Sequence, residues 1–325
     1  MCMVKKLVYR INKFQIPIDV SDQPVFALSK ELQLRLPLLF GHDKYICLLG
    51  DLHIEQSLLV MHGKLIRGSG LDTIMQHSDL STIGGATALV DVNHIKRSRY
   101  CLQISVVAIY RLLKAAHFES KSHLQPLEWL DRMSETSEMC FYWRVILLYE
   151  LQFLVFLRAI REGNFKLYLE TLFRFLRWYF ALDKYNYARW ATIHWFDLVL
   201  LEQRCPNEFE EFMRGNFSFL KTNTQFSRMA LDQVHEQNNR LVKSASGATS
   251  LINRQDDSAL VRWELCGPEL CRILQEFEGE HSQSDELVSK HHEETIQFQN
   301  DFLRDTQKLF EKFPSNHFNS QSSQW

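Results

Sequence analysis

Two hydrophobic patterns divide the chain. In the first 67 residues, short apolar runs alternate with helical stripes. Ile16-Pro17-Ile18-Asp19-Val20 is a short β-type run. Ser21-Asp22-Gln23-Pro24 then suits a helix entrance, with Ser21 or Asp22 as cap and Pro24 in the first turn. From Val25 to Leu36 the apolar residues follow helical spacing. Tyr45-Ile46-Cys47-Leu48-Leu49 is continuously apolar, as in a buried strand. From Asp51 to Ile66, residues Ile54, Leu58, Met61 and Leu65 form a helical stripe. This order predicts strand–helix–strand–helix, a fragment of an α/β layer.

Gly68-Ser69-Gly70 and Gly84-Gly85 interrupt the chain, and from about Arg97 the pattern is helical almost throughout. The spacing predicts helices over 97–117, 138–162, 165–181, 185–203, 206–213, 227–243, 258–279 and 284–312. Pro126, Gly163-Asn164, Pro206 and Gly215-Asn216 read as breakers, and Phe217 to Leu220 as a further short strand. Residues 244–258 read as a loop, and the stretch from Ser315 to Trp325 as disordered. The expected class is mainly α with a small α/β remnant. Its expected segments are the remnant at 1–67, a helical region at 68–226, a helical segment at 227–280, and an acidic helix with a tail at 281–325.

Composition supports this picture. With only 12 Gly and 7 Pro in 325 residues, the chain is too poor in turns for a β-sandwich or barrel. Forty aromatic residues supply a large core. A net charge of -2 and a pI near 6.7 argue against a wholly basic nucleic-acid binder. The seven scattered cysteines and the absence of an apolar leader in MCMVKKLVYR lead us to expect reduced thiols, in the nucleus or cytoplasm rather than secreted. The longest apolar stretch, Val145 to Leu157, is interrupted by Glu150 and Gln152, so it reads as a buried helix and not as a membrane span.

Several polar clusters interrupt the apolar patterns. On a helix, Asp232, His235, Glu236 and Asn239 fall within an arc of about 100°. Such a face suits either a divalent cation or acid–base site, or simple solvation. Asp51, His53 and Glu55 directly follow the buried strand, where α/β sheets build their sites; there, capping by Asp51 is the plainer alternative. Lys96, Arg97 and Arg99 form a basic group suited to nucleic-acid phosphates. A second basic group, Arg158, Arg161, Lys166, Arg174 and Arg177, interleaves with aromatics and reads either as phosphate contact with stacking or as core with snorkelling stems. Arg174 and Arg177 lie on a helix apolar nearly all round, so acidic partners are expected, with Glu150 and Asp183 as candidates. Cys266 and Cys271 lack a second pair at zinc spacing.

Eight strings carry a resemblance: DQPVFALSK (22–30), GDLHIEQ (50–56), LIRGSG (65–70), IKRSRYCLQ (95–103), LRAIREGNF (157–165), FALDKYNYARW (180–190), LDQVHEQNNRLVK (231–243) and RWELCGPEL (262–270). Together they resemble a family of uncharacterised, transposon-derived proteins, over about residues 16–280. That family is in turn similar to transposases with a ribonuclease-H-like fold. In hAT-type members a strand-end Asp precedes a second strand with a His motif, and a long helical insertion separates these from a helix bearing the last catalytic Glu.

The resemblance implies Asp22, His53 and Glu236 as catalytic residues converging in space, and Asp22 with Glu236 as ligands for Mg²⁺ or Mn²⁺. It also implies DNA as partner. The expected fold is a ribonuclease-H-like core interrupted by a long helical insertion. The strands that carry the first catalytic Asp would lie upstream of Met1, so the chain reads as truncated and is expected to be a catalytically inactive remnant of a Mg²⁺-dependent DNA transposase or nuclease. A non-enzymatic helical scaffold, or a metal-dependent hydrolase using Asp22, His53 and Glu236, are the alternatives.

Overall fold

The computed structural model describes residues 2–13, 15–78, 91, 92, 94–243 and 285–312. The loop expected at 244–258, the helix expected at 258–279, the string at 262–270 with its two cysteines, the break at Gly84-Gly85 and the tail from Ser315 lie outside these residues. The protein is mainly α-helical. It divides into two compact units, residues 1–233 with 305–325, and residues 234–304.

The first unit opens with α1 (Cys2–Ile11), followed by β1 (Ile18–Ser21), α2 (Gln23–Arg35), the single turn α3 (Pro37–Phe40), β2 (Ile46–Leu49) and α4 (Asp51–Ile66). β1 and β2 pair in parallel, Ile18 opposite Ile46 and Ser21 opposite Leu49. A parallel pair requires a crossover, which α2 and α3 supply. All four residues of β2 are buried, as its unbroken apolar run requires. Asp22 caps α2: its carboxylate accepts a 3.2 Å hydrogen bond from Val25 N, with Pro24 in the first turn.

The helical region begins with α5 (Leu71–His77) and α6 (Ile95–Glu119), then α7 (Pro126–Ser134), α8 (Glu138–Glu162), α9 (Phe165–Ala181), α10 (Tyr185–Val199), α11 (Leu201–Arg204) and α12 (Pro206–Met213). Pro126, expected to break the chain, instead opens α7, where its missing N–H is no loss, and Glu128 accepts from Gln125 N at 3.3 Å. The break between α8 and α9 comes from Gly163, whose φ of 70° ends α8 in the left-handed conformation, and Asn164, which caps α9 through Leu167 N. β3 (Phe219–Leu220) and β4 (Arg228–Met229) form an antiparallel ribbon before α13 (Leu231–Lys243). A last helix, α14, spans Asp285–Lys312.

One aromatic-rich core joins α4, β2, α8, α9 and α10. Tyr149, Phe153 and Phe156 of α8 and Phe175 of α9 are fully buried in it, and Tyr149 meets Phe175 and Trp178 edge-on. Each such ring contributes roughly 1.5–3 kcal/mol by leaving water. Inside this apolar layer Glu150 is 0% exposed and accepts from both His62 Nε2 at 2.7 Å and Ser105 Oγ at 2.8 Å. Arg174 and Arg177 therefore do not find Glu150. Arg174 pairs with Glu170 at 2.5 Å on the exposed surface, and Arg177 lies 5.9 Å from the Trp178 ring centroid. Asp183 accepts from Tyr185 OH at 2.8 Å. Helix α9 has a solvent face that the sequence pattern had concealed.

By length and hydropathy, α6 and α8 are each long and apolar enough to cross a membrane, and half of each apolar stretch is buried inside the fold. The cysteines Cys47, Cys101, Cys140 and Cys205 are buried and take part in no disulfide among the described residues. Burial pushes the thiols of Cys47 and Cys101 up to about 12, which suppresses thiolate chemistry.

Candidate functional site

The parallel register ends β1 and β2 at the same level, so Asp22 and Gly50 leave the sheet side by side; Gly50 N donates to Ser21 O at 2.8 Å. Sites in α/β sheets form at this carboxyl edge. Helix α4 starts here, and Gly50, at its cap position, has no side chain to offer. The cap comes instead from the far end of the unit. Asp232, near the start of α13, accepts from Leu52 N at 3.0 Å and His53 N at 3.2 Å. Its Oδ2 also lies 2.9 Å from His53 Nδ1. A carboxylate only accepts, so the imidazole donates from Nδ1. This close approach requires glycine: a Cβ on Gly50 would stand 2.2 Å from Asp232 Oδ2.

Tyr187 closes one side of the group. Its hydroxyl donates to His53 O at 3.2 Å, and its ring stacks on Tyr179 at 5.4 Å. Burial, then the negative charges of Asp22 and Asp232, push the Tyr187 hydroxyl up to about 12. Asp22, His53, Asp232 and Tyr187 thus share one neighbourhood.

A hydrogen-bond chain runs beneath them. Leu49 N donates to His194 Nδ1 at 3.4 Å, which leaves the imidazole proton on Nε2, 3.3 Å from Tyr168 OH. Tyr168 donates to Asp51 Oδ1 at 2.5 Å. Burial pushes His194 down to about 4, so the ring is neutral. Burial, then the charge of Asp232, push Asp51 up to about 8, so its carboxyl is largely protonated at neutral pH. The adjoining cavity is only about 10 Å³, close to the volume needed for one water.

The sequence had singled out Asp22 and His53, and both stand at this edge. The carboxylate of α13 that reaches His53 is Asp232, whereas Glu236 sits one turn further along the helix, in the second unit. Asp232 was legible only as part of a polar face. Tyr168, Tyr187 and His194 carried no signal, because each lies in an apolar helical pattern. Of the basic group on α6, Lys96 and Arg97 are exposed, but Arg99 turns inward and clasps both oxygens of Glu55, at 2.5 and 2.6 Å. Arg99 thus partners a buried carboxylate, which sets it apart from Lys96 and Arg97.

Among the described residues, no three His, Cys, Asp or Glu side chains gather closely enough to hold a metal ion. Asp22 is committed to Val25 N, and Asp232 to three backbone donors and an imidazole. What the arrangement supplies is a carboxylate–imidazole pair with a fixed tautomer and a buried relay of one phenol, one imidazole and one carboxyl.

No curated protein matches the chain, and no solved structure does. A family model matches residues 106–324. The match begins inside α6, so it takes in Asp232 and leaves Asp22 and His53 outside. Because it spans about two thirds of the sequence, the chain belongs to the family described as a domain of unknown function, DUF8702.

Proposed function

We propose that this chain is a catalytically inactive, transposon-derived protein whose ribonuclease-H-like core, once devoted to metal-dependent DNA cleavage or transfer, now serves as a scaffold. It acts inside the cell, with DNA as its partner through the exposed Lys96 and Arg97. The observation that carries this reading is the use made of Asp232: its carboxylate closes the N-terminus of α4 and fixes His53. Support for the ancestry comes from the crossover-linked parallel strands, the acidic and imidazole groups at their carboxyl ends, and the long helical region before α13. Two-metal phosphoryl transfer needs carboxylates free to clamp ions about 4 Å apart. Asp22 and Asp232 are instead occupied by backbone amides.

The test is cleavage of supercoiled plasmid by purified protein in Mg²⁺ or Mn²⁺, beside a Glu236→Gln variant. We expect no cleavage above background from either. Cleavage by the parent that the variant loses would overturn the proposal and favour a metal-dependent hydrolase.

A further inference from the structure

One turn beyond Asp51, Glu55 is buried and fully engaged by Arg99. This pair lines a cleft of about 320 Å³ between α4, α6, α8 and the chain from β4 into α13. Two more arginines, Arg158 and Arg161 of α8, line the same space. Arg158 donates to Glu162 at 2.7 Å. Arg161 is exposed and has no hydrogen-bond or ion-pair partner among the described residues. The lining therefore carries three cations and one carboxylate, and that carboxylate is already taken.

Two further features bear on the occupant. The side-chain amides of Gln103 and Gln233 line the cleft and hydrogen-bond to no described residue. Phe226, in the loop between β3 and β4, lines it too, at 51% exposure and a φ of 61° that non-glycine residues seldom adopt. An aromatic ring held at the mouth of a cationic cleft offers a stacking surface.

We propose that this cleft binds a nucleotide, with its phosphate on Arg161 and Arg158 and its base on Phe226. A concave surface with surplus positive charge draws anions, and the planar guanidinium fork matches phosphate oxygens. The volume lies within the range of small-ligand sites. A simple carboxylate would satisfy the arginines but leave the ring without a role. The inference does not depend on a transposon origin. A free nucleotide and a nucleotide unit of a single strand share this chemistry.

Isothermal titration of the full chain with AMP, ribose 5-phosphate, inorganic phosphate and a short oligothymidylate tests it. AMP should bind at one saturable site. Arg161→Gln should weaken AMP and ribose 5-phosphate about tenfold or more. Phe226→Ala should weaken AMP about fivefold or more and leave ribose 5-phosphate unchanged. Both side chains are exposed, so folding should survive, as circular dichroism would check. Arg161→Lys, which keeps the charge and loses the fork, should fall between parent and Gln variant. Oligothymidylate that displaces AMP identifies the source as single-stranded nucleic acid, and failure to displace it identifies free nucleotide. Absence of AMP binding at millimolar concentration, or AMP affinity indifferent to Arg161→Gln, would overturn the site. Inorganic phosphate binding as tightly as AMP would overturn the stacking role. Because none of these measurements reads DNA cleavage, the proposed function stands or falls separately.

Discussion

Asp232 Oδ2 lies 2.9 Å from His53 Nδ1 although 179 positions separate the two residues. The same carboxylate binds the first free amides of α4, so one side chain caps a helix, fixes an imidazole and joins the end of the first unit to its beginning.

Removing that carboxylate should cost stability. Asp232→Ala leaves the amides of Leu52 and His53 without acceptors, and we expect a loss of about 2 kcal/mol, at the upper end for a helix cap. Asp232→Asn keeps one acceptor and should lose about half as much. Urea unfolding with an unchanged m-value is the measurement.

Gly50→Ala should be destabilising because the new Cβ collides with Asp232. The backbone at Gly50, with φ of -62° and ψ of 129°, suits any residue, so the cost is steric. In the Asp232→Ala background much of the penalty should vanish. A double-mutant cycle measures that coupling, and simple additivity would refute the steric account.

The pH dependence follows from Asp51 and His194. Folded Asp51 holds its proton up to about 8, while the unfolded carboxyl loses it near 3.8, so this group's contribution falls as pH rises between those values. Folded His194 stays neutral down to about 4, while the unfolded ring protonates below 6.5, so its contribution rises with pH over that interval. The two slopes oppose each other below pH 6.5 and only Asp51 acts from there to about 8, where we expect a loss on the order of 1–2 kcal/mol. Asp51→Asn should abolish that loss, as seen by comparing denaturation midpoints of parent and variant across pH.

Glu150 is the most enclosed carboxylate among the described residues. Truncating His62 to Ala should cost about 3–5 kcal/mol, because it strips a buried acceptor of one of its two donors. Replacing the pair together, Glu150→Met with His62→Leu, should cost much less than the sum of the single changes. Thermal unfolding of the three variants decides this.

On α6 the basic residues should separate by role. Lys96→Glu with Arg97→Glu should weaken DNA binding while leaving Tm nearly unchanged, since both are exposed. Arg99→Met should lower stability instead, because Glu55 is left buried and unpaired. Gel shift and thermal denaturation on the same preparations separate the two effects.

Local signals account for what the sequence made legible. Helices α8, α9 and α12 fall on the residues expected, because Ser137, Gly163-Asn164 and Pro206 mark their ends in the chain itself. The parallel strands were visible as apolar runs. Pro126 misled because the same residue ends one helix or begins another, and only Glu128 beside it distinguishes the two. Arg99 looked like its exposed neighbours because nothing local marks the one side chain that faces Glu55. The meeting of Asp232 with His53 left a single trace, a glycine where a capping side chain belongs, and that trace names no partner.

The cap on α4 also sets a clock for synthesis. A ribosome adding about 5–20 residues per second reaches Asp232 roughly 10–35 s after His53, and until then the first turn of α4 presents bare amides. Nascent chains halted just before Asp232 should therefore be cut readily near Gly50 by added protease, and chains extended past α13 should resist. A layer made well before α13 is among the last parts of the first unit to be finished.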